Sequence, residues 1–497
     1  MKKILCLVLV LMLVAGSAVA LTSCDSKEII VWGPGDHEEI YLKWTQEFMD
    51  MHPEAFEGYK VTYAGSGDSG AYSAMNVDPT SGAAVYTFAN DQMANLLNLA
   101  ALSPVTGDNL AWSQANNDAR AFAATFMGEQ SWAYPLQADN GYYMYYNKAA
   151  FRGTAVWDDT NDCLMENYTF RQLYEALDSK TDNWKKGKVT WAMGDSWYAS
   201  GVFFAVGGDY EIGYDGDGRQ NSADCWFSYT LPEGVTDKKR GDYTVGFDAY
   251  ECMKNSITTA DGKISDHYLY TDGDKNPLND KIDLYSNPAN FEGQETPLAA
   301  AVCGTWKAKT LKEAWGDDYG ATVLPMLETD DGEMFAMKNF AGYKHMGVNP
   351  QCKFANAVED DSNLKLLHEL AKYLCGKEIS LERYEATGAG PANLEALADP
   401  DVAADAALLA LNAQYDRVCK YPMNYAKEEL RGQDIGNGLG YRVQDSVPAN
   451  YWTPIQTFSN TLYNEISGTQ PLDKFKNMVN TRNFLAELQT QISQAAQ

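Results

Sequence analysis

An alternation of strand and helix patterns opens the chain and limits the folds that it can adopt. Residues 28–33 form a compact apolar run, and apolar side chains between residues 40 and 51 then recur at helical spacing. Residues 59–63 alternate as a second strand, residues 83–88 resemble a third, and Asp91 is a suitable N-cap for the helix that follows. This order predicts an α/β protein with an open, largely parallel sheet and helices on both faces.

Similar units return further along the chain. Strand patterns cover residues 189–193 and 299–302, and helix patterns cover residues 364–374 and 475–492. The stretch 207–297 differs, because it is rich in Asp, Gly, Asn and Tyr and has few helical repeats. We interpret this stretch as an insertion of hairpins and loops that decorates one lobe.

The first residues have the pattern of an export signal. Lys2 and Lys3 precede an apolar run over residues 4–15, which is shorter than the roughly 20 residues that a membrane-spanning helix needs. The sequence Leu21-Thr-Ser-Cys24 then resembles the bacterial lipobox, in which a diacylglyceryl group is attached to the cysteine before cleavage. This resemblance implies a lipid-anchored protein on the outer face of the bacterial cell membrane.

Two processing routes fit this leader. In the first, residues 1–23 are removed as a lipoprotein signal peptide and Cys24 carries two acyl chains, which are enough for stable anchoring. In the second, an ordinary secretory signal ends at Ala18 or Ala20. We expect the first route, and the length of the chain beyond Cys24 predicts two or more lobes.

The charge of the chain limits its partners. The sequence has 39 Lys and Arg against 68 Asp and Glu, with a formal net charge of −29. Such a charge repels nucleic acids and anionic lipid headgroups, and it disfavours anionic ligands unless a local basic pocket is present. The densest basic stretches, 184–188 and 238–240, are short and flanked by acids. We therefore expect no nucleic acid partner.

The sequence carries no complete motif for catalysis or for a cofactor. The H-E-x-x-H, G-x-S-x-G and P-loop motifs do not occur, and the widely spaced cysteines include no C-x-x-C pair. Gly65-Ser-Gly-Asp-Ser-Gly70 superficially matches the dinucleotide-binding fingerprint, with Asp91 near the spacing of the ribose-binding acid. The following segment is cut short by Asp78-Pro79, so we interpret residues 65–70 as a flexible surface turn. We expect neither a cofactor nor enzymatic activity.

One acidic segment is a weak candidate for a calcium site. Its residues occupy positions 1, 3, 5, 9 and 12 of an EF-hand-like loop: Asp272, Asp274, Asn276, Asp280 and Asp283. Pro277 stands where such a loop needs a glycine, and Asp283 replaces the long bidentate glutamate. A polar turn is therefore the default interpretation.

The aromatic residues give the more informative signal. The chain has 12 Trp, 31 Tyr and 18 Phe, and many of them adjoin Gly, Asn, Asp or Pro instead of lying in periodic apolar runs. A sugar ring has one apolar face and a rim of hydroxyls, so a sugar site combines flat aromatic rings with carboxylates and amides. These residues favour a sugar-binding surface on loops.

Several short segments, in this order, resemble a known family. They are Ile30-Val-Trp-Gly-Pro-Gly-Asp36, Ala133-Tyr-Pro-Leu136, the segment 142–148 ending in Tyr-Tyr-Asn-Lys, Gly304-Thr-Trp306, Tyr319-Gly-Ala-Thr-Val-Leu-Pro325 and Ala389-Gly-Pro391. Together they are similar to the maltose-binding-protein type of extracytoplasmic solute-binding lipoprotein, the family 1 receptor of a sugar ABC importer.

The resemblance implies a periplasmic-binding-protein-like type II fold. Two α/β lobes would be joined by a hinge, with the ligand in the cleft between them and the closed state presented to a permease. The N-terminal lobe would comprise 24–137 and 342–392, and the C-terminal lobe would comprise 138–341 and 393–497, including the insertion at 207–297. The hinge crossings would fall near 137–140, 335–342 and 388–393.

The resemblance also nominates ligand-binding residues. Asp36 and His37 match polar groups of the family's first loop, Asp139 stands for a glutamate in the hinge, and Gln92 replaces a usual arginine beside Asp91. Trp306 and Trp452 match the stacking platforms of the second lobe. The full set of candidates is Asp36, His37, Phe88, Asp91, Asp139, Asp195, Trp197, Tyr198, Trp306, Tyr451 and Trp452.

The function implied is capture of a neutral oligosaccharide, such as a maltodextrin, by a monomer that delivers it to membrane permease subunits. Two alternatives remain at this point. One is a surface-anchored carbohydrate-active hydrolase, which needs a carboxylate pair spaced for glycoside cleavage. The other is a sensory or adhesive lipoprotein that binds sugar without a transport partner. The spacing of residues does not identify the sugar.

Overall fold

The computed structural model describes most of the chain between residues 27 and 468. The described residues are 27–214, 220–225, 245–272, 277–286, 296–417, 419–420, 434–435, 441–443 and 451–468. The predictions for the leader with Cys24, for a helix at 475–492, and for Asp274 and Asn276 lie outside them. Within this part of the chain, the helices are all too short or too polar to cross a membrane.

Two main sheets organise the described residues. In chain order their strands are β1 (Glu28–Gly33), β2 (Lys60–Gly65), β3 (Val85–Ala89), β4 (Tyr134–Asn140), β5 (Tyr143–Asn147), β6 (Lys188–Gly194), β7 (Tyr268–Asp272), β8 (Leu298–Cys303), β9 (Tyr319–Thr322), β10 (Asn339–Val348) and β11 (Tyr441–Val443). Five further two-stranded antiparallel pairs join Phe126–Met127 with Gln130–Ser131, Trp157–Asp158 with Cys163–Leu164, Tyr210–Tyr214 with Gln220–Cys225, Met326–Glu328 with Met334–Ala336, and Cys419–Lys420 with Asp434–Ile435.

Helices cover these sheets. They are α1 (Glu38–Met51), α2 (Ala71–Met75), α3 (Met93–Asn98), α4 (Gly107–Asn116), α5 (Ala119–Ala123), α6 (Lys148–Phe151), α7 (Phe170–Asp178), α8 (Ser196–Ala205), α9 (Val245–Ile257), α10 (Leu278–Ser286), α11 (Ala308–Trp315), α12 (Ser362–Leu374), α13 (Lys377–Thr387), α14 (Leu394–Leu397), α15 (Pro400–Ala403), α16 (Ala406–Tyr415) and α17 (Trp452–Ile466). Single 3₁₀ turns lie at Gly35–His37, Asn90–Gln92, Asn183–Lys186, Thr305–Lys307 and Gly316–Asp318.

The first lobe is built on the sheet that begins with β1. Its order is β2-β1-β3-β10-β11 with β4 also paired to β10, and β1 is parallel to both β2 and β3. Val31 and Val85 face a core shared with α1 and α12, whereas Trp32 and Tyr86 face a second core shared with α2 and α3. This arrangement confirms the predicted parallel opening with helices on both faces.

The second lobe is built on a five-stranded sheet of order β7-β6-β8-β5-β9, in which β6 is parallel to β7 and β8, and β5 is antiparallel to β8 and β9. The strands predicted at 189–193 and 299–302 are confirmed as β6 and β8. The helices α8 and α17 pack on β6, and α16 packs on β5 and β9. All five residues from Tyr142 to Tyr146 are buried in this core.

The chain passes between the two sheets at neighbouring places. β4 ends at Asn140 in the first sheet and β5 begins at Tyr143 in the second, while β10 begins at Asn339 just before the predicted boundary at 341–342. Pro391 lies beside β4 and is bridged to Gln137. These positions agree with the regions in which we predict hinge crossings; the exact lobe boundaries stay a prediction.

The interpretation of 207–297 as hairpins and loops is wrong for much of its described part. Tyr210–Tyr214 does pair antiparallel with Gln220–Cys225, but α9, β7 and α10 are regular elements of the second lobe. Ala249, Met253 and Ile257 lie on one face of α9 and are fully buried in the core of that lobe. The prediction relied on the polar composition of the whole stretch and overlooked the helical spacing of these apolar residues.

Candidate ligand-binding cleft

A cleft of about 730 Å³ lies where the two sheets meet. Strands of both sheets end at this cleft. Lining residues lie at or directly after the ends of β2 and β3 in the first sheet and of β6, β7 and β8 in the second. Ligands of open α/β sheets bind outside the carboxyl ends of the strands, so both lobes offer their usual binding edge to the same space. The volume is in the range of small-molecule sites.

Asp68 anchors the wall that the first lobe contributes. Its carboxylate accepts a hydrogen bond from the Thr87 hydroxyl through Oδ1 at 2.6 Å, and Oδ2 lies 3.1 Å from Nζ of Lys344. The interpretation of 65–70 as a flexible surface turn is therefore wrong at Asp68, which is half-buried and lines the cleft. Thr87 in β3 and Lys344 in β10 fix its position.

Lys344 places a positive charge in this wall. Burial lowers the pKa of the Lys344 ammonium, but the nearby carboxylates of Asp68 and Asp139 outweigh that effect, and the net pKa is raised. The side chain therefore stays charged and its charge is balanced by Asp68. The lining also includes Asp91, Asp195 and Asp272, so the described part of the cleft carries a negative balance.

The opposite wall begins at the N-terminus of α8. Oδ1 of Asp195 accepts a hydrogen bond from the backbone N–H of Trp197 at 2.8 Å and so caps the helix. The cap directs the Trp197 indole into the cleft, where it contacts the rings of Tyr198 and Trp306 at centroid distances of 4.9 and 5.9 Å. This segment supplies an aromatic wall beside a carboxylate.

The Trp306 indole packs closely against Gly304. A Cβ at position 304 would come within 2.1 Å of the indole, so only glycine leaves room for this ring. The indole Nε1–H donates a hydrogen bond to Oδ1 of Asn279 at 3.1 Å. The contact with Gly304 and the hydrogen bond to Asn279 therefore hold the ring in place at the lining of the cleft.

Trp452 completes the aromatic lining from the start of α17. Phe340 of β10 is fully buried beneath it, with ring centroids 5.9 Å apart, and lies 6.4 Å from the Trp197 ring. Three indoles, Trp197, Trp306 and Trp452, thus line the second lobe's side of the cleft. Flat apolar faces next to carboxylates and amides match the two kinds of surface on a sugar ring.

Comparison with known families identifies the class of protein. Residues 43–410, about three quarters of the chain, match the family model of the bacterial extracellular solute-binding proteins. The chain belongs to this family. The galactooligosaccharide-binding protein of Bacillus subtilis strain 168 is 32% identical to this chain over 120 residues. That match spans 24% of this chain and only 25% of the relative.

Solved structures show the fold of the solute-binding protein. The maltodextrin-binding protein MalE1 from L. casei BL23 is 17% identical with a TM-score of 0.59, covering 94% of this chain and 99% of that one. The Thermus thermophilus maltotriose-binding protein is 16% identical with a TM-score of 0.60, covering 94% and 100%. The GacH receptor of Streptomyces glaucescens GLA.O is 16% identical with a TM-score of 0.61, covering 94% and 99%. The fold is periplasmic-binding-protein-like type II.

The structure brings six of the nominated ligand residues of the solute-binding protein together. The cleft is lined by Asp91, Asp195, Trp197, Tyr198, Trp306 and Trp452. Residues that were not nominated as ligand-binding also line it: Asp68, Ser69, Ala89, Gln92, Asn140, Ser196, Pro277, Leu278, Asn279 and Lys344, with Asp272 nominated only for calcium. Most of these follow the carboxyl end of a strand, which is the signal that could have indicated them.

The other nominated residues do not line the cleft. Phe88 and Tyr451 are fully buried, and the Tyr451 hydroxyl is 3.0 Å from the Ser200 hydroxyl. Asp139 is also buried, with hydrogen bonds inside the protein. Asp36 and His37 lie in a 3₁₀ turn after β1, outside the lining. Phe88, Tyr451 and Asp139 are corrected to interior residues, because their side chains are covered.

The described residues of the candidate calcium loop lie in different environments. Asp272 lines the cleft at the end of β7, and Asp283 forms an ion pair with Lys307 at 2.6 Å. Asp280 is an exposed residue of α10. No group of three or more His, Cys, Asp or Glu side chains that could hold a metal ion occurs among the described residues.

Replacing Gly304 with alanine should displace the Trp306 platform. The new Cβ would overlap the far end of the indole, which can move, and would also come within 2.7 Å of the Gly141 carbonyl oxygen. We expect a folded protein with roughly tenfold weaker ligand binding, which corresponds to about 1.4 kcal/mol. Titration calorimetry with a sugar that the parent protein binds measures this change in Kd. Gly35→Ala is the control, because a Cβ at position 35 meets no other atom within 4 Å.

Proposed function

We propose that this protein is the substrate-binding lipoprotein of an ABC importer that captures a neutral oligosaccharide of the maltodextrin type. The observation that carries the proposal is the cleft between the two lobes, where three indoles face carboxylate and amide side chains. The names of the similar proteins, which bind maltodextrin, maltotriose or galactooligosaccharide, support the same ligand class. Delivery to permease subunits follows from the role of such receptors.

The charges of the cleft support a ligand without negative charge. Lys344 is the one basic residue in the described lining, and Asp68 already balances it. Asp91, Asp195 and Asp272 add further carboxylates, which accept hydrogen bonds from sugar hydroxyls but repel uronate or phosphate groups. The cleft should therefore select neutral sugars over acidic ones of the same length.

Binding would close the two lobes over the ligand. The proposed lobes are 24–137 with 342–392 and 138–341 with 393–497, and each would contribute one wall of the cleft. Within the second range, β11 pairs with the start of β10, where the chain crosses between the two sheets. A ligand that contacts both walls stabilises the closed state, because it gains contacts there that the open state lacks. The permease would recognise that closed state.

A sugar panel tests the proposal directly. The mature protein is titrated with neutral di- to hexasaccharides and with an acidic trisaccharide of galacturonate, and the readouts are tryptophan fluorescence and thermal unfolding. A ligand at 100 times its Kd should stabilise the fold by about 2.7 kcal/mol. No response to any neutral sugar would overturn sugar binding. Chromatography of the recovered sugar must show it intact, since cleavage would favour a hydrolase.

The lipid anchor has its own test. We expect Cys24→Ala to abolish incorporation of a labelled fatty acid into the protein, because the proposed acyl chains are attached to that thiol. The measurement is metabolic labelling with palmitate followed by isolation of the protein, and Cys163→Ala serves as a control at a cysteine outside the leader. Label in the Cys24→Ala variant, or none in the parent protein, would contradict lipid anchoring at Cys24 while leaving sugar binding untouched.

A further inference from the structure

We propose that Asp139 is a positioning residue that holds the Trp306 platform through Thr305, instead of a residue that touches the ligand. The proposal deepens the proposed function, on which its binding measurement rests. It concerns the point where the chain crosses from the first lobe to the second. Asp139 lies in β4 one residue before Asn140, which lines the cleft, but its own side chain is only 2% exposed.

One carboxylate oxygen of Asp139 joins three chain segments. Oδ2 accepts a hydrogen bond from the Thr305 hydroxyl at 2.7 Å and another from the backbone N–H of Gly390 at 2.6 Å. Asp139 belongs to the crossing strand, Thr305 to the second lobe, and Gly390 to the segment that returns beside β4. A carboxylate accepts stronger hydrogen bonds than a neutral oxygen does, so Asp139 holds Thr305 and Gly390 firmly beside the crossing strand.

The approach of Gly390 to Asp139 depends on glycine. A Cβ at position 390 would lie 2.8 Å from Cβ of Asp139 and 2.7 Å from Cδ2 of Leu408. The backbone is also fixed on its other side, because the Ala138 N–H donates a hydrogen bond to the Gly390 carbonyl at 3.1 Å. The return segment is therefore held against β4 at the position of the carboxylate.

Thr305 links this junction to the cleft. It is buried and stands between Gly304, over which the indole lies, and Trp306 itself. The Gly304 carbonyl accepts a hydrogen bond from the Tyr145 hydroxyl at 3.0 Å, and the indole donates to Asn279. The hydrogen bonds to Tyr145 and Asn279 thus fix the turn that carries Trp306 within the second lobe. Among the described residues, the hydrogen bond from Thr305 to Asp139 connects this turn to the crossing strand.

Removing that bond should move Trp306 without removing any ligand contact. Thr305→Val keeps the shape of the side chain but loses the donor, whereas Thr305→Ser keeps the donor. The matched control is Thr258→Val, since Thr258 is also fully buried and donates one hydrogen bond, to the Lys254 carbonyl at 2.9 Å. Thr258 lies next to the end of α9 and does not line the cleft.

The first measurement needs no ligand. The indole N–H signal of Trp306 in a ¹⁵N–¹H spectrum of the mature protein is assigned by its loss in Trp306→Phe. We expect the signal to shift or broaden in Thr305→Val and in Asp139→Asn, and to stay in place in Thr305→Ser and Thr258→Val. An unchanged signal in Thr305→Val would overturn the proposal, whatever the stability of Asp139→Asn.

The second measurement is a double-mutant cycle with maltotriose as the probe. We expect Thr305→Val to weaken binding roughly tenfold in the parent protein and to have little further effect in Trp306→Ala, because both changes then act on one platform. Full additivity would overturn the proposal. If the parent protein does not bind maltotriose, the choice of this sugar in the proposed function fails, and the ligand-free indole spectrum still decides the role of Asp139.

Discussion

Replacing both Trp306 and Trp452 with alanine is expected to weaken sugar binding about a thousandfold. Both indoles line the cleft, and each is expected to contribute roughly 1–3 kcal/mol, as aromatic anchors do at binding sites. The Trp306 ring lies over Gly304 and the Trp452 ring packs on Phe340, so the two losses should be largely independent. Calorimetric titration of the single and double variants measures the effect.

The fold should survive these substitutions. Trp306 and Trp452 are only partly buried, and the core residue Phe340 beneath Trp452 remains. Trp112→Ala is the control, because Trp112 lies in α4 of the first lobe and is similarly half-buried but outside the cleft. The prediction fails if the double variant keeps the parent affinity, or if Trp112→Ala weakens binding as strongly.

Acid should destabilise the protein through two buried histidines. Burial lowers the pKa of His345 to about 3, against a smaller opposing effect of a backbone hydrogen bond at Ala124, and burial lowers the pKa of His368 to about 4. In the unfolded chain both titrate near 6.5. Stability is therefore full above pH 6.5 and falls as the pH drops toward 4, since only the unfolded chain takes up these protons.

Between pH 7.5 and 4.5 the two histidines should cost on the order of 5 kcal/mol of unfolding free energy. Denaturant titrations at several pH values measure the slope. His345→Leu should remove about half of this slope, because the ring of His345 packs on Phe88 in an interior that accepts an apolar side chain. A pH-independent unfolding free energy over this range would refute the assignment.

The sequence was most informative where structure depends on neighbours along the chain. The strands at 28–33 and 189–193, and the helix at 364–374, follow from local periodicity, and each was predicted within a few residues. The segment 245–257 shows the limit of composition. Its surroundings are polar, yet its buried residues recur at helical spacing, and that spacing decides the structure.

The cleft was predictable only in part. Asp195 and Trp197 could be nominated because they are adjacent in the sequence, and the cap that relates them is local. Lys344 reaches Asp68 only because β10 pairs antiparallel with β3, a contact between distant segments that no local pattern shows. Asp139 was nominated as a ligand residue, but its burial depends on how Thr305 and Gly390 converge on it.

The strand pairing of the two lobes has a consequence for how the chain must fold. Val85 pairs with Val348 in the first sheet, and Tyr143 pairs with Cys303 in the second. Neither sheet can be completed until residues far apart in the sequence are both available, and folds with such distant pairings form slowly. We therefore expect an exported chain to emerge largely unfolded and to acquire its sheets only after most of its length has crossed the membrane.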